Sequence, residues 1–318
     1  MNDAAAGAGD PAMWGPDRLG DLTGLCAAAL PDEHLSPDDL ESLAWAPDVR
    51  DEHGPLGESR VWGMPDGTGA VVASLRHHGG AGSAPTAYVQ LLVVHPARRR
   101  RGIARALVGA VEQWAGERGA SAVQVGGAAP LYLFTGVDSR WTDAVCCFEA
   151  LGYRRTAVEL DLACPTRTRR APVPAGVVVE PVVSDRDLAE LVEWADRCWP
   201  AWTAELRRAG AAGTAVLARD VDASEVVGAA AHSVGRLGVV GPVAVDPRVH
   251  GVGIGAAMMS ELLAQLSVAG VQRAEIAWVS TVRFYVRTCG ATVLRASQVL
   301  RRDLPHGGGA GADGGAER

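Results

Sequence analysis

Short apolar runs and segments with helical periodicity alternate along this chain. Val, Ala and Leu cluster in runs that end at Gly, Pro, Asp or Ser, which predicts β-strands because such runs fit the half-buried surface of a sheet. Between them, apolar residues recur every three or four positions, as on the buried face of a helix. The runs predicted to be strands are 69–78, 86–94, 121–126, 153–162, 176–183, 214–219, 226–234, 237–245, 274–279 and 291–304.

The two halves of the chain, on either side of residues 164–175, repeat one order of elements. In each half a strand leads into a long amphipathic helix, whose apolar face runs from Ile103 to Trp114 in the first half and from Ile254 to Leu266 in the second. Shorter helices are predicted near Phe148 and Phe284. This order predicts an α+β fold, with a mixed, mostly antiparallel sheet flanked by helices in each half.

Three segments of small and polar residues interrupt the periodic pattern. Residues 1–16 and 305–318 are predicted to be disordered, because they hold too few apolar residues to build a core. Residues 164–175 are rich in proline and arginine and are predicted to be a linker. The chain therefore divides into two predicted domains, at 17–163 and 176–304.

The composition is that of a globular protein with an acidic charge balance. Hydrophobic residues make up 48% of the 318 residues and charged residues 21%, which is enough apolar material for a core in each half. The formal net charge of −7 argues against a nucleic-acid partner, because such proteins need a basic face.

Cysteine spacing and hydropathy exclude further classes of protein. The six cysteines form no CxxC pair and lie near no histidine at metal-ligand spacing, so no metal site is predicted. The sequence has neither the apolar core of a signal peptide nor an apolar run of about 18 residues. We therefore expect a reduced, cytoplasmic protein without a membrane partner.

Four consecutive arginines, Arg98 to Arg101, belong to a motif that occurs twice. The first copy, VHPARRRRGIARALV, covers residues 94–108, and the second, VDPRVHGVGIGAAMM, covers 245–259. In both copies a proline at the end of a strand is followed, six residues later, by a glycine at the start of a helix. The free N–H groups and dipole of such a helix bind anions, and arginines nearby strengthen the site. The repeat therefore predicts an anion-binding loop in each half.

The loop resembles the acyl-CoA-binding loop of the GNAT superfamily of N-acyltransferases, which is Arg or Gln, two residues, Gly, one residue, then Gly or Ala. A P-loop or a complete dinucleotide-binding GxGxxG motif is absent from both copies. The first match consists of Arg99, Arg100, Arg101, Gly102, Ile103 and Ala104. The second consists of His250, Gly251, Val252, Gly253, Ile254 and Gly255, and departs from the pattern at His250.

The resemblance covers residues 17–304 and implies two GNAT-like domains in tandem. It implies that each loop cradles the pyrophosphate of acetyl-CoA, the expected co-substrate. It also implies that backbone groups of the preceding strand hold the pantetheine arm. Those strand residues are Leu92, Val93, Val94, Val243, Ala244 and Val245.

In this family a tyrosine on the last helix usually donates a proton to the departing thiol. Tyr285 takes this place in the second half, whereas Phe148 takes it in the first, and a phenyl ring cannot donate a proton. We therefore expect catalysis in the second half, with Tyr285 as the general acid. His232 and Glu275 are candidates for the general base, and His232 suits the role because imidazole titrates near neutral pH.

Several aromatic residues bear on the acceptor site. The asparagine that the family often has seven residues before the tyrosine is replaced by Trp141 and Trp278. Trp199 and Trp202 would either line a pocket for an amine cation or pack in the core. The first half also carries an insertion at 126–141, which would form a lid or a wedge between the halves.

The predicted function is transfer of an acetyl group from acetyl-CoA to a primary amine, by direct attack. A small-molecule amine is the preferred acceptor, and a protein amine is the weaker choice. Two alternatives stay open: a non-catalytic protein that binds or senses acyl-CoA, and an acetyltransferase of the mycothiol synthase type. The missing asparagines and His250 weaken the second alternative. Amino sugars, aminoglycoside-like metabolites, amino acids and protein N-termini all fit as acceptors, and the protein is expected to be a monomer or homodimer.

Overall fold

The computed structural model describes residues 9–45, 50–51, 54–55, 57–77 and 83–305. Within them the strands are β1 (Ala12–Met13), β2 (Arg50–Asp51), β3 (Gly54–Pro55), β4 (Gly57–Gly63), β5 (Gly69–Arg76), β6 (Thr86–Val94), β7 (Ala122–Val125), β8 (Val137–Asp138), β9 (Arg154–Pro165), β10 (Val177–Pro181), β11 (Ala215–Asp220), β12 (Glu225–His232), β13 (Val239–Val245), β14 (Arg273–Ile276) and β15 (Thr292–Asp303). The helices are α1 (Leu19–Ala29), α2 (Pro37–Trp45), α3 (Ile103–Glu117), α4 (Thr142–Ala150), α5 (Asp185–Cys198), α6 (Thr203–Ala211), α7 (Ile254–Val268) and α8 (Val282–Cys289).

The predicted α+β fold is confirmed, and each strand predicted from the sequence coincides with an observed strand. Among the strand pairs of the described residues, β6–β7 and β13–β14 are parallel and the others antiparallel. The sequence pattern missed β4, because its Gly, Glu, Ser and Arg residues give little strand signal. This strand pairs along its whole length with β5, so tertiary pairing overrides its weak local preference.

A single sheet runs through both halves in the order β1-β4-β5-β6-β7-β15-β9-β14-β13-β12-β11-β10. The two closing strands cross between the halves: β15 lies between β7 and β9, and β9 lies between β15 and β14. Leu300 thus pairs with Val125, and Ala163 with Glu275. The two halves exchange their closing strands, whereas the sequence placed each closing strand in its own domain. The reason is that the alternation of apolar and polar residues in a strand determines which side chains face the core, but not which neighbouring strand it pairs with.

Helices cover both faces of the shared sheet. In the first half α3 packs on one face, around Leu107 and Val111, and α1 and α2 pack on the other, around Leu22 and Leu40. In the second half α7 packs on one face and α5 and α6 on the other. Each fully buried leucine or valine side chain contributes roughly 1.5–3 kcal/mol to stability. No helix in the part of the chain described here is long and apolar enough to cross a bilayer.

The N-terminal segment is more ordered than the sequence predicted. Ala12–Met13 pairs with Trp62–Gly63 as an edge strand, and Trp14 is buried in the α1–α2 core. The prediction of disorder for residues 1–16 is therefore wrong at this strand, because one buried tryptophan outweighs the small, polar composition around it. The first eight residues and the predicted tail from residue 306 onward lie outside the described residues.

Candidate functional site

Strand β6 separates from β7 half-way along its length. The two strands pair over Thr86–Val89 and Ala122–Val125, and β6 then continues past this pairing to Val94. The pairing of β6 with β5 skips Gln90, which forms a β-bulge at the point of separation. A bulged residue is left out of the ladder, so peptide groups around Gln90 and along the open edge of β6 are available to a ligand.

A cavity of about 640 Å³ lies beside the open edge of β6. Its walls come from β6, the end of α1, the start of α3, one face of α4 and the insertion. This volume is within the range of cofactor-sized sites. Most of the wall is apolar, and arginines gather at the end next to α3. Lining residues used below are Leu30, Gln90, Leu92, Val94, Arg99, Arg100, Phe134, Trp141, Cys147 and Phe148.

The loop between β6 and α3 leaves the start of the helix open to an anion. Gly102 is the N-cap of α3 with a φ of 83°, and no side chain accepts a hydrogen bond from the first turn. Arg98, Arg99 and Arg100 line the cavity mouth and are exposed. Unpaired N–H groups, the helix dipole and three guanidinium groups therefore converge on one end of the cavity. Arg101 is exposed and is not among the lining residues.

Arg100 has a left-handed backbone conformation, with a φ of 62°. The equivalent position in the second copy of the loop is Gly251, with a φ of 86°. Such a conformation costs a non-glycine residue roughly 1–2 kcal/mol, and strained residues of this kind concentrate at functional sites. The first loop thus has an arginine at a position where glycine would be less strained.

We expect Arg100→Gly to leave the melting temperature unchanged or higher and to weaken acetyl-CoA binding about tenfold, since a charge-assisted hydrogen bond is lost while strain is relieved. Isothermal titration with acetyl-CoA and a thermal melt of the same sample measure the two effects. A fall in melting temperature with unchanged affinity would show that the arginine serves the fold instead.

The second copy of the loop has the same backbone but different surroundings. Gly253 is the N-cap of α7 with a φ of 103°, yet the carbonyl of Val245 accepts hydrogen bonds from Trp199 Nε1 (3.1 Å) and lies 2.9 Å from His250 Nε2. Pro242, within β13, has no N–H to donate. Of the backbone groups that the resemblance assigned to a pantetheine arm, from Val243 to Val245, the carbonyl of Val245 is thus already used, and Pro242, the residue before this segment, offers no N–H.

Side chains also occupy space beside the second loop. A Cβ placed on Gly255 would lie 3.3 Å from the Phe284 ring, and one on Gly253 would lie 3.7 Å from Pro174 of the predicted linker. In the first half the residue before Phe148 is Cys147, which lines the cavity, whereas the residue before Tyr285 is Phe284. Cysteine at this position of α4 leaves space in the first half, whereas the Phe284 ring fills the equivalent space beside α8 in the second.

The predicted catalytic residues of the second half lie apart from the cavity of the first. Tyr285 packs against the α7 core, where burial raises its pKa to about 12. His232 is buried on β12 with Nδ1 2.9 Å from Ser233 Oγ and Nε2 3.2 Å from Gln265 Oε1, and burial lowers its pKa. Neither residue lines the cavity, and His232 has the contacts of a satisfied core histidine.

Glu275 belongs to a buried ionic group that we call the junction cluster: Glu33, Asp161, Arg236, Glu275 and Arg295. Arg295 donates from Nη1 to Glu33 Oε1 (2.9 Å) and from Nη2 to Glu275 Oε2 (3.1 Å). Arg236 donates to the same two carboxylates. With two guanidinium partners, Glu275 is placed as an ion-pair partner rather than as a free base.

The junction cluster connects the second half to the cavity wall of the first. Glu33 lies in the α1–α2 connection, where its N–H donates to the carbonyl of Leu30, a lining residue. Phe134, another lining residue, has the guanidinium carbons of Arg236 and Arg295 at 5.5 and 5.6 Å from its ring centroid. All residues that line the cavity belong to the first half, and the second half therefore supports this wall from behind.

The insertion at 126–141 packs as a wedge between the halves. Leu131, Leu133 and Phe134 join the α1–α2 core of the first half. Tyr132 faces the second half, where its ring meets that of Trp278 edge-on at 5.5 Å. A wedge, not a mobile lid, is therefore the arrangement that the contacts favour.

The stacked rings of Trp199 and Trp202 also serve packing. Their centroids are 4.8 Å apart at an interplanar angle of 12°, and both rings pack against the α5–α6 core. Trp199 further donates to the carbonyl of Val245. Of the two roles considered for these tryptophans, the structure thus favours core packing over an amine cage.

Comparison with protein families agrees with this geometry. The model of the acetyltransferase (GNAT) family matches residues 25–132 and again 180–291. The chain belongs to the GNAT acetyltransferase family. Each match contains one of the two predicted anion-binding loops. The two halves are GNAT domains in tandem that share a sheet, and the family is one of acyltransferases that use acyl-CoA.

Solved GNAT structures share the fold at low sequence identity. A tandem GNAT protein from the clavulanic acid biosynthesis pathway has a TM-score of 0.68 and 20% identity, over 92% of this chain and 98% of that chain. A GNAT from Sphaerobacter thermophilus has a TM-score of 0.61 and 21% identity, over 92% and 95%.

A third similar structure holds the GCN5-related glucosamine N-acetyltransferase region of a fungal multi-domain GH3 β-N-acetylglucosaminidase. It has a TM-score of 0.70 and 18% identity over 95% of this chain, which spans 39% of the fungal chain. A search of curated proteins finds no match. These similarities show the GNAT fold and do not identify the acceptor of this protein.

Proposed function

We propose that this GNAT protein transfers an acetyl group from acetyl-CoA to a primary amine of a small molecule, and that it does so in the first half. The observation that carries the proposal is the cavity, in which an open strand edge, an uncapped helix start and arginines lie together. This choice reverses the expectation that the second half is catalytic, which rested on the hydroxyl of Tyr285 alone.

The cavity offers a binding feature for each part of acetyl-CoA. Its diphosphate would lie at the start of α3 with Arg99 and Arg100, and its pantetheine arm along the open edge of β6 from Leu92 to Val94. The thioester would then reach the bulge at Gln90, where β6 and β7 separate. Peptide N–H groups freed by the bulge would polarise the carbonyl oxygen, as donors aimed at a developing oxyanion do.

The reaction needs little beyond this positioning. The neutral amine attacks the thioester carbon, a C–N bond forms, the C–S bond breaks, and the nitrogen loses a proton while the sulfur gains one. Because Phe148 has no hydroxyl, we propose that the sulfur takes its proton from water in the cavity. Loss of a dedicated acid slows the step by roughly 10²–10⁴, so we expect slow turnover, driven mainly by proximity.

The same phenylalanine favours a second candidate function, an acyl-CoA-binding protein without transferase activity. Under that alternative the cavity binds acetyl-CoA and no amine speeds thiol release. Acetyl-CoA at 100 times its Kd would stabilise the protein by about 2.7 kcal/mol in either case. Thiol release with a panel of amines, followed by mass detection of the acetylated product, separates the two functions.

Tyr285→Phe tests which half performs the chemistry. We expect thiol release with the best amine of the panel to stay within about twofold of the wild-type rate, since this hydroxyl is remote from the cavity lining and loss of a general acid would cost at least 10². Stopped-time assays with a thiol reagent measure the rate. A fall of tenfold or more, with acetyl-CoA affinity unchanged, would return catalysis to the second half.

A further inference from the structure

The sheet face under α1 and α2 carries a buried arginine that the proposed mechanism does not use. Arg76 is the last residue of β5 and is 2% exposed. Residues two apart in a strand share a face, so Arg76 and Ser74 lie on the same face as Val72, which packs in the α1–α2 core. This is the face opposite to α3.

One edge of the Arg76 guanidinium group has no partner. Nη1 donates to the carbonyl of Leu75 at 3.1 Å, whereas Nε and Nη2 are buried and make no hydrogen bond within the described residues. No carboxylate of those residues forms an ion pair with Arg76. The N–H bonds of Nε and Nη2 point to the same side of the planar group, and this is the edge that a carboxylate binds through two parallel hydrogen bonds.

Two buried polar side chains stand between Arg76 on β5 and the proposed site of acyl transfer, and Arg76 does not itself line the cavity. Gln90 Nε2 donates to Ser74 Oγ at 2.9 Å, and both residues are buried. Gln90 lines the cavity at the bulge, and its Oε1 is buried without a partner in the described part of the chain. Arg76 stands two residues, or roughly 7 Å, beyond Ser74 along β5.

We propose that the acceptor is an amine that also carries a carboxylate, with the carboxylate bound by the free edge of Arg76 and the amine held next to Gln90. This proposal rests on acyl transfer taking place in the first half. Acetyl-CoA would then enter along β6 from the α3 side, and the acceptor would lie on the α1–α2 face.

The charge state of Arg76 supports an anionic ligand. Burial lowers its pKa to about 10, so the group is still a cation at neutral pH. A buried cation without a paired anion opposes folding, and a bound carboxylate would remove that cost. The unpartnered oxygen of Gln90 offers an acceptor to the N–H of an incoming amine. One ligand with both groups satisfies every unpartnered atom named above.

Matched acids and amides test the proposal. Glycine, 4-aminobutyrate and 6-aminohexanoate, each beside its primary amide, span the possible distances between the two groups. We expect at least one acid to exceed its amide in kcat/KM by about 30-fold, and Arg76→Gln to reduce that ratio to below about threefold, since two hydrogen bonds to a charged group are lost. The Kd of acetyl-CoA should not change, and Arg76→Lys should restore part of the preference.

A binding measurement keeps the test independent of turnover. In thermal melts with CoA present, the preferred acid should stabilise the wild type more than its amide does, and Arg76→Gln should abolish the difference. Arg60→Gln, which removes an arginine paired with Glu58 on neighbouring β4, should behave as wild type. Without ligand, Arg76→Gln should melt no lower than wild type.

Two outcomes would overturn the proposal: equal stabilisation of the wild type by acid and amide, or an acid preference that survives Arg76→Gln. Failure of the proposed function looks different, because no amine, whether acid or amide, would then release thiol, while the acid–amide comparison of thermal shifts could still be made.

Discussion

Gly102→Asp is expected to lower the affinity for acetyl-CoA at least 100-fold, while Gly253→Asp leaves it within about twofold. Both glycines are N-caps in the left-handed region, and Asp tolerates that conformation better than most residues do. A carboxylate at residue 102 would lie next to the diphosphate, and two like charges 5 Å apart repel by about 3 kcal/mol at an effective dielectric constant of 20. Isothermal titration of the two variants measures the contrast.

The paired design controls for damage to the fold. A Cβ at residue 102 meets no atom within 4 Å, and one at residue 253 meets only Pro174 at 3.7 Å, so backbone strain of about 1–2 kcal/mol is the cost expected in both variants, and their melting temperatures should fall by similar small amounts. If Gly253→Asp weakens binding as much as Gly102→Asp, acetyl-CoA binds in the second half as well. If neither variant weakens it, the diphosphate does not bind at these helix starts.

Arg295→Met is expected to destabilise the protein by roughly 3–5 kcal/mol, because it leaves the three buried carboxylates of the junction cluster with Arg236 as the one remaining cation of that cluster. The melting temperature should fall by about 10 °C. Thermal and urea unfolding measure the loss. Arg154→Met is the matched control, since Arg154 pairs with Asp303 while its side chain is 78% exposed, and its melting temperature should stay close to that of the wild type.

The pH dependence of this loss has a definite sign. Burial raises the pKa of Asp161 to about 6, and the charge of Arg295 opposes that increase. A group whose pKa is higher in the folded state stabilises fully below its unfolded pKa and loses that contribution as pH rises through the folded pKa. Without Arg295 the folded pKa rises further, so Arg295→Met should lose more stability at pH 8 than at pH 5. An equal loss at both pH values would contradict this account of the junction cluster.

Local patterns were enough to predict ten of the strands, β4 not among them, together with the two long helices and the backbone of both glycine loops. The loops could be found because proline, glycine and the helix start lie within seven consecutive residues, from Pro96 to Gly102 and from Pro247 to Gly253. A left-handed glycine and an uncapped helix start are properties of the nearby backbone and need no distant partner. The assignment to the GNAT family followed from these loops, and the family comparison confirms it.

The sequence could not show which of the two loops lies beside an open cavity. Tyr285 and Phe148 differ by one hydroxyl, and that difference pointed to the second half. The packing of Phe284 beside Gly255, and of two side chains on the carbonyl of Val245, became visible only in three dimensions. Cys147, which stands where Phe284 stands in the second half, is the sequence signal that could have indicated the open cavity.

The sequence by itself determined most of the secondary structure, the repeat and the family, because each depends on residues close together in the chain. Tertiary structure alone decided the exchange of β9 and β15, the junction cluster and the unpaired edge of Arg76. Glu33 and Arg295 are 262 residues apart, and no periodicity links positions at that distance. Whether a buried charge such as Arg76 or Arg295 has a partner depends on which side chains the fold places beside it.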